Sequence, residues 1–255
     1  MLRLESTTNV WGITGNLGGG KSLTAVSMAV SALSDGFFVC SNIRLNLSAI
    51  SSHLGFDVSK LVLFFSLDDP DFDAFKLPCG SPRGSRGGKR VVIILDEVAE
   101  WFDQYSTHSN PVVRNFLSWL RHSSKRSQDV ILVVQRLEFM KKDLRLLVSR
   151  WVIVDDMKNY RFPIVKFRFP LLFPFCMQRV FSKTKSLLQG PLFVSKSFYG
   201  RFYNTAECLN SQGATTVFEY DIPVQYPSFK SCFLFLVISY FIIFYLFYDL
   251  LYLSV

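Results

Sequence analysis

The sequence predicts an α/β fold: a mostly parallel β-sheet with helices on both faces, followed by a small β-rich extension and a C-terminal transmembrane helix. Three observations carry this reading. Short apolar runs at 10–14, 37–40, 91–95, 130–134 and 151–154 alternate with helical patterns, the arrangement of βαβ units. The runs at 91–95 and 130–134 are apolar throughout, as strands buried on both faces are. Near the C-terminus, 18 consecutive residues, Ser231–Tyr248, carry no charge. These features divide the chain into 1–158, 159–229 and 230–253.

Taken in order, Val10–Thr14 reads as a strand that ends in glycines. Lys21–Leu33 follows as a helix, with Leu23, Val26, Ala29, Val30 and Leu33 at helical spacing, and Asp35-Gly36 stops it. Phe37–Cys40 is a second strand. Residues 43–77 are mixed, with a strand candidate at Leu61–Phe65. Pro78–Arg90 is a basic loop of Gly, Pro and Ser. Val91–Leu95 is a buried strand, and Pro111–Arg121 is a helix with Pro in its first turn. Val130–Val134 is another buried strand, Glu138–Val148 a helix and Trp151–Val154 a strand. From about residue 160 the pattern turns to short strands and turns rich in Phe, Pro, Lys and Arg. Ser231–Tyr248 as a helix would span roughly 27 Å, close to the thickness of a bilayer core, the alternative being a buried core helix or hairpin.

Composition fits this division. The chain has 255 residues, 49% of them hydrophobic and 19% charged, which excludes disorder. Five Cys at 40, 79, 176, 208 and 232 form no CxxC, and three His have no ligand spacing, so neither a disulfide scaffold nor a zinc site is expected. All 28 Lys and Arg precede Ser231. The positive-inside rule therefore places residues 1–230 in the cytoplasm. The formal charge of +8 favours anionic partners such as nucleotide, nucleic acid or lipid headgroups.

Gly15-Asn16-Leu17-Gly18-Gly19-Gly20-Lys21-Ser22 fits GxxxxGK(S/T) between a strand and a helix. Glycines let backbone N–H groups curl around phosphates, and the helix that starts at Lys21 aims its positive end at them. This reads as a P-loop, the alternative being a Gly-rich turn before an ordinary helix, and residues 15–23, from Gly15 to Leu23, are the candidate nucleotide contacts. Lys21 would bridge the terminal phosphates, and the Ser22 hydroxyl would ligate Mg²⁺. The strand Val91–Leu95 ends in Asp96-Glu97. Asp96 would hold Mg²⁺, and Glu97 would polarise the attacking water as general base. The plainer alternative is an acidic pair capping the next helix. Asp96 lies about 75 residues after Lys21, room for an additional strand between the two motif strands. Gln135 ends the next strand and would sense the γ-phosphate or the lytic water; the alternative is a solvated strand end.

WGITGNLGGGKS, FFVCSNIRLN, VVIILDEVAEWF and LRHSSKRSQDVILVVQ stand in the order and spacing of Zot-like (zonular occludens toxin-like) proteins, and the chain resembles that family over about residues 9–155. The family includes the filamentous-phage assembly ATPases of the FtsK–HerA branch of RecA-like P-loop NTPases. The resemblance implies an ATP hydrolase with Mg²⁺, a homo-oligomeric ring and a single span in the host inner membrane. It implies work on phage coat protein or single-stranded DNA during virion extrusion. Asn42, Arg121-His122 and the later Phe202–Glu207 (FYNTAE) also fit the family pattern, and it favours Gln135 as the strand-end sensor. Many members continue past the span into a periplasmic domain; here about six residues follow it, so no outer-membrane partner or toxin activity is carried over.

Several basic groups are weaker candidates. Arg121, Lys125 and Arg126, and Lys141, Lys142 and Arg145, could face DNA or supply an arginine finger in trans, Arg121 or Arg145 being the choice for that role; solvated charges on a helix and loop are the equal alternative for each. Arg83, Arg86, Lys89 and Arg90 have the composition of a nucleic-acid contact, with a plain surface loop the preferred reading. Arg161, Lys166 and Arg168 interleave with Phe162, Phe167 and Phe169, as in an amphipathic strand or a stacking platform for single strands. Two other functions share the motifs. A DNA-packaging or conjugative translocase of the same branch would use identical chemistry. A nucleotide-binding membrane scaffold would not hydrolyse, and intact Lys21, Asp96 and Glu97 argue against it.

Overall fold

A computed structural model of the chain describes residues 10–67, 69, 72–81, 90–102, 111–157, 175–184 and 186–203. In chain order the elements are β1 Val10–Gly15, α1 Lys21–Ser34, β2 Phe38–Ser41, α2 Leu47–Leu54, β3 Val62–Phe64, β4 Val91–Leu95, α3 Val98–Trp101 and α4 Pro111–His122. There follow β5 Gln128–Val133, α5 Lys142–Leu147, β6 Arg150–Asp156, β7 Phe175–Ser182, β8 Leu187–Ser195 and α6 Lys196–Tyr199. The strands form one sheet in the order β3-β2-β4-β5-β1-β6-β7-β8. The first six of these run parallel, and β7 and β8 continue the sheet as an antiparallel hairpin. β5 lies between β1 and β4, so the two motif strands are not neighbours.

Alternation along each buried strand builds two apolar layers. Ile13, Val92, Ile94, Ile131 and Val133 pack with α1 on one face. Val91, Ile93, Leu95, Val130 and Leu132 pack with Val113, Phe116, Leu117 and Leu120 of α4 on the other. Each fully buried Val, Leu or Ile contributes about 1.5–3 kcal/mol, so the five-residue apolar runs are the main stabilising element of the sheet. α1 is buried all along Leu23–Leu33, which is why its sequence is rich in Ala, Ser and Val and shows no charged face.

The P-loop-type α/β sheet agrees with the sequence reading, and four differences have physical causes. β5 begins two residues early, at Gln128-Asp129, both fully buried. Polar residues enter the strand because each has a partner. Trp119 Nε1 donates to Gln128 Oε1, Gln128 Nε2 donates to Pro78 O, and Arg90 pairs with Asp129. The helix expected at Glu138–Val148 is broken: a 3-10 turn at Leu137–Phe139 and α5 are separated by Met140 and Lys141 in extended conformation. Extension there sends the Met140 side chain into the core behind α4. α2 was hidden in the mixed region, yet Asn46 caps it by accepting from Ala49 N, and Gly55 closes it in the left-handed conformation. The part of the β-rich extension within the described residues is the β7–β8 hairpin, in register with β6 from Arg150↔Ser182 to Asp156↔Cys176.

The expected span at 230–253 lies outside the described residues, as do the rest of 159–229 apart from the hairpin and residues 196–203, and Arg83, Arg86, Lys89, Arg161, Lys166 and Arg168. Among the described residues no helix is long and apolar enough to cross a membrane. Arg90, a member of the basic loop, is committed to the buried Asp129 and to the face of Phe37. Arg126 likewise donates to the carbonyls of Phe75 and Leu77. Replacing Arg90 with Ala is expected to lower the unfolding free energy by about 3 kcal/mol, because the Asp129 carboxylate then loses its countercharge. Urea denaturation of the variant measures this, and an unchanged midpoint would contradict it.

Candidate active site

The phosphate-loop segment runs from the end of β1 to the start of α1. Gly18 and Gly20 adopt φ of 69° and 93°, the left-handed region that favours glycine. Gly19 N donates to Asn16 O at 2.9 Å and tightens the turn. The loop is packed closely from one side. A side-chain carbon on Gly15 would collide with Val154 O of β6, one on Gly19 would come within 2.8 Å of Asn16 O, and one on Gly20 would collide with Cys176 Sγ of β7. Leu17 stands exposed at the tip. Leu23, expected among the nucleotide contacts, has its side chain buried in the core with α1, so its backbone N–H is what it offers at the helix start.

Lys21 opens α1 and turns its ammonium back to the loop, donating to Gly15 O at 3.2 Å and Asn16 O at 3.0 Å. Burial holds its pKa below the usual lysine value, against the opposing pull of Asp96 and Glu97. Ser22 Oγ donates to Asp96 Oδ2 at 2.6 Å. This one bond joins the two motifs across a separation of 74 residues.

Asp96 is fixed from three directions. Asn42, just after β2, brackets its peptide: Asp96 N donates to Asn42 Oδ1 at 2.7 Å, and Asn42 Nδ2 donates to Asp96 O at 3.0 Å. The Glu97 N–H donates to Asp96 Oδ1 at 2.9 Å. Burial pushes the Asp96 carboxyl above the usual carboxylate range, opposed by the Ser22 and Glu97 hydrogen bonds and by Lys21. Glu97 adopts φ 58°, ψ 35°, a left-handed conformation rare outside glycine and costing about 1 kcal/mol. It is the cap residue of α3, but no side chain caps that helix, so its carboxylate is not spent on capping. The Glu97 pKa is raised by burial first, then by Glu100 and Asp96, against Lys21.

The structure thus brings Lys21, Ser22, Asp96 and Glu97 together at one edge of the sheet. Gln135 follows two residues after β5, exposed, at the edge where the flanking strands β1 and β4 also end. Arg121 is exposed at the end of α4, and Arg145 is half-buried on α5. Three supporting residues escaped the sequence reading. Gln178, fully buried in β7, and Thr24 of α1 form a hydrogen bond of 3.0 Å, and Cys176 abuts Gly20. Burial, with Asp96 and Cys176 adding, pushes the Tyr203 hydroxyl up to about 12. A Gln among inward-facing apolar positions (FCMQRV) was the available signal for Gln178.

The model of the family described as zonular occludens toxin (Zot) matches residues 10–162. The chain is 28% identical over 146 residues to the Gene 1 protein of Enterobacteria phage I2-2, covering 56% of this chain and 39% of that protein. It is 23% identical over 228 residues to the Gene 1 protein of Enterobacteria phage M13, covering 84% of this chain and 64% of that one. It therefore spans less than two thirds of the length of either relative. The N-terminal domain of zonular occludens toxin from Neisseria meningitidis superposes with a TM-score of 0.45 at 16% identity, over 77% of this chain and 99% of that one.

The tight fit of the loop has a testable steric cause. Gly20→Ala is expected to lower stability by about 1–3 kcal/mol, from the left-handed backbone and from overpacking against Cys176. The double variant Gly20→Ala/Cys176→Ala should recover the steric share, seen as a partial return of the melting temperature.

Proposed function

The chain belongs to the zonular occludens toxin (Zot) family, and from that premise we propose that it is a membrane-anchored ATPase that powers assembly and extrusion of a filamentous, single-stranded DNA phage through the host inner membrane. The observation that carries the enzymatic part is the Ser22–Asp96 hydrogen bond, which sets a phosphate-loop hydroxyl against a strand-end carboxylate. Residues 1–158 would be the ATPase domain, 159–229 the β-rich extension, to which the β7–β8 hairpin belongs, and 230–253 the anchor. Subunits would form a ring whose partners are coat protein, single-stranded DNA or both.

The oxygen donors of Ser22 and Asp96 fit Mg²⁺, a hard cation that takes few protein ligands and keeps phosphate and water oxygens. Bound Mg²⁺ supplies neutralisation of charge on the phosphates. Backbone N–H groups of residues 15–23 hold the phosphates at the positive end of α1. Lys21 exchanges its two neutral carbonyl partners for phosphate oxygens, a stronger charge-assisted pairing. Glu97 takes the proton of the attacking water, and its raised pKa makes it a stronger base than an ordinary glutamate. Gln135, at the end of the intervening strand, orients that water or senses the γ-phosphate. An arginine from a neighbouring subunit, Arg121 or Arg145, would stabilise the charge that develops.

Purified protein with ATP and Mg²⁺ should release phosphate, and Lys21→Ala and Glu97→Gln should each reduce turnover by roughly 100-fold or more. Glu97→Gln should still bind ATP; wild-type turnover in that variant would refute its role as base. Because Glu97 must be ionised to act and its pKa is raised, activity should fall on acidification at a pH above the ordinary glutamate range. Glu100→Gln removes one of the raising charges and should move that limb to lower pH, measured as a pH profile of kcat.

A further inference from the structure

We propose that Gln178 of β7 is a positioning residue for the phosphate loop, acting through Thr24. This rests on the nucleotide-binding reading above and deepens it. Gln178 Nε2 donates to Thr24 Oγ1 at 3.0 Å, and Thr24 Oγ1 donates to Gly20 O at 2.9 Å. Gly20 O also accepts from Thr24 N at 2.9 Å, so Thr24 holds the carbonyl with both its hydroxyl and its backbone N–H. Gly20 is the residue before Lys21, and its conformation at φ 93° sets the direction in which α1 and the Lys21 backbone N–H leave the loop. The relay therefore ends on the peptide unit that presents the phosphate site.

Two further observations separate this from ordinary core packing. Gln178 is fully buried, and among the described residues its Oε1 finds no hydrogen-bond donor. A Leu would fill similar volume without an orphaned oxygen, so the amide is unfavourable for stability, and its hydrogen bond to Thr24 is the compensating contact. The same stretch of β6 and β7 supports the loop elsewhere. Gln178 pairs in register with Val154, whose carbonyl abuts Gly15 and Gly19, and Cys176, two residues before Gln178, abuts Gly20. The antiparallel hairpin thus acts on the nucleotide site from behind. A strand that carries none of the sequence motifs determines how the loop meets phosphate.

The test compares wild type, Gln178→Leu, Thr24→Val, Thr24→Ser and the Gln178→Leu/Thr24→Val pair, all as the full chain, by ATP turnover and by binding of a fluorescent ATP analogue. Gln178→Leu should melt at or above the wild-type temperature, yet raise KM and the analogue Kd roughly fivefold to tenfold, with kcat changed less. Thr24→Val should match it, Thr24→Ser should restore wild-type values, and the pair should be no worse than either single variant. Unchanged KM and Kd in Gln178→Leu, or additive losses in the pair, would overturn the relay while leaving the ATPase reading intact. A wild-type chain that binds no nucleotide would overturn both together.

Discussion

The interposition of β5 between β1 and β4 is the constraint on which the site depends. In a parallel sheet all strands end at the same edge, and a strand between two others sets their separation at two inter-strand spacings, about 9.5 Å. β1 delivers the glycine loop to that edge and β4 delivers Asp96 and Glu97. The loop and helix start cross the gap from one side, and the Asp96 carboxylate meets Ser22 from the other. Had β4 paired directly with β1, the two strand ends would stand one inter-strand spacing apart, about 4.8 Å. β5, which ends between β1 and β4, is followed two residues later by the exposed Gln135.

Around the site the backbone is over-determined. Glu97 sits in a strained conformation that a free peptide would leave, and it persists because β4, the Asn42 bracket and the turn into α3 fix the residues on both sides. The glycine loop is held in the same way, between Val154 and Cys176 beneath and the first turn of α1 beyond. Rigidity of this kind matters for charge chemistry. Dipoles and carboxylates that are already aimed need not reorganise when charge develops on a transferring group. The raised pKa values of Asp96 and Glu97 and the lowered one of Lys21 have the same origin, since each charge has been drawn out of water by a closely packed surround.

Much of this was legible in the sequence, and the gaps have physical reasons. β4 was read residue for residue because apolar side chains on both faces leave only one strand assignment. The phosphate loop was legible because glycine spacing, a strand and a helix start coincide. β5 was read short because Gln128 and Asp129 look like loop residues until their partners Trp119, Pro78 and Arg90 are in place, and those partners are distant in sequence. The order of the hairpin and the parts of Thr24, Cys176 and Gln178 were not legible. Antiparallel pairing at the end of a parallel sheet depends on register with β6, which no local pattern encodes. Arg90 and Arg126 looked like free surface charge, and burial of their partners is what turned them into structural posts.

Those posts have a consequence of their own. On one side Pro78 O accepts from Gln128 and Gly80 N donates to Arg126 O; on the other Arg90 pairs with Asp129, and Val91 N donates to Ser127 O. Both ends of the stretch between Gly80 and Arg90 are thus clamped to the same four residues, 126–129, whatever lies between them. For such a pre-closed loop, added length costs only chain entropy, about 0.6 kcal/mol for each doubling. The clamp therefore fixes where β4 enters the sheet beside β5, independently of the number of residues between its two ends.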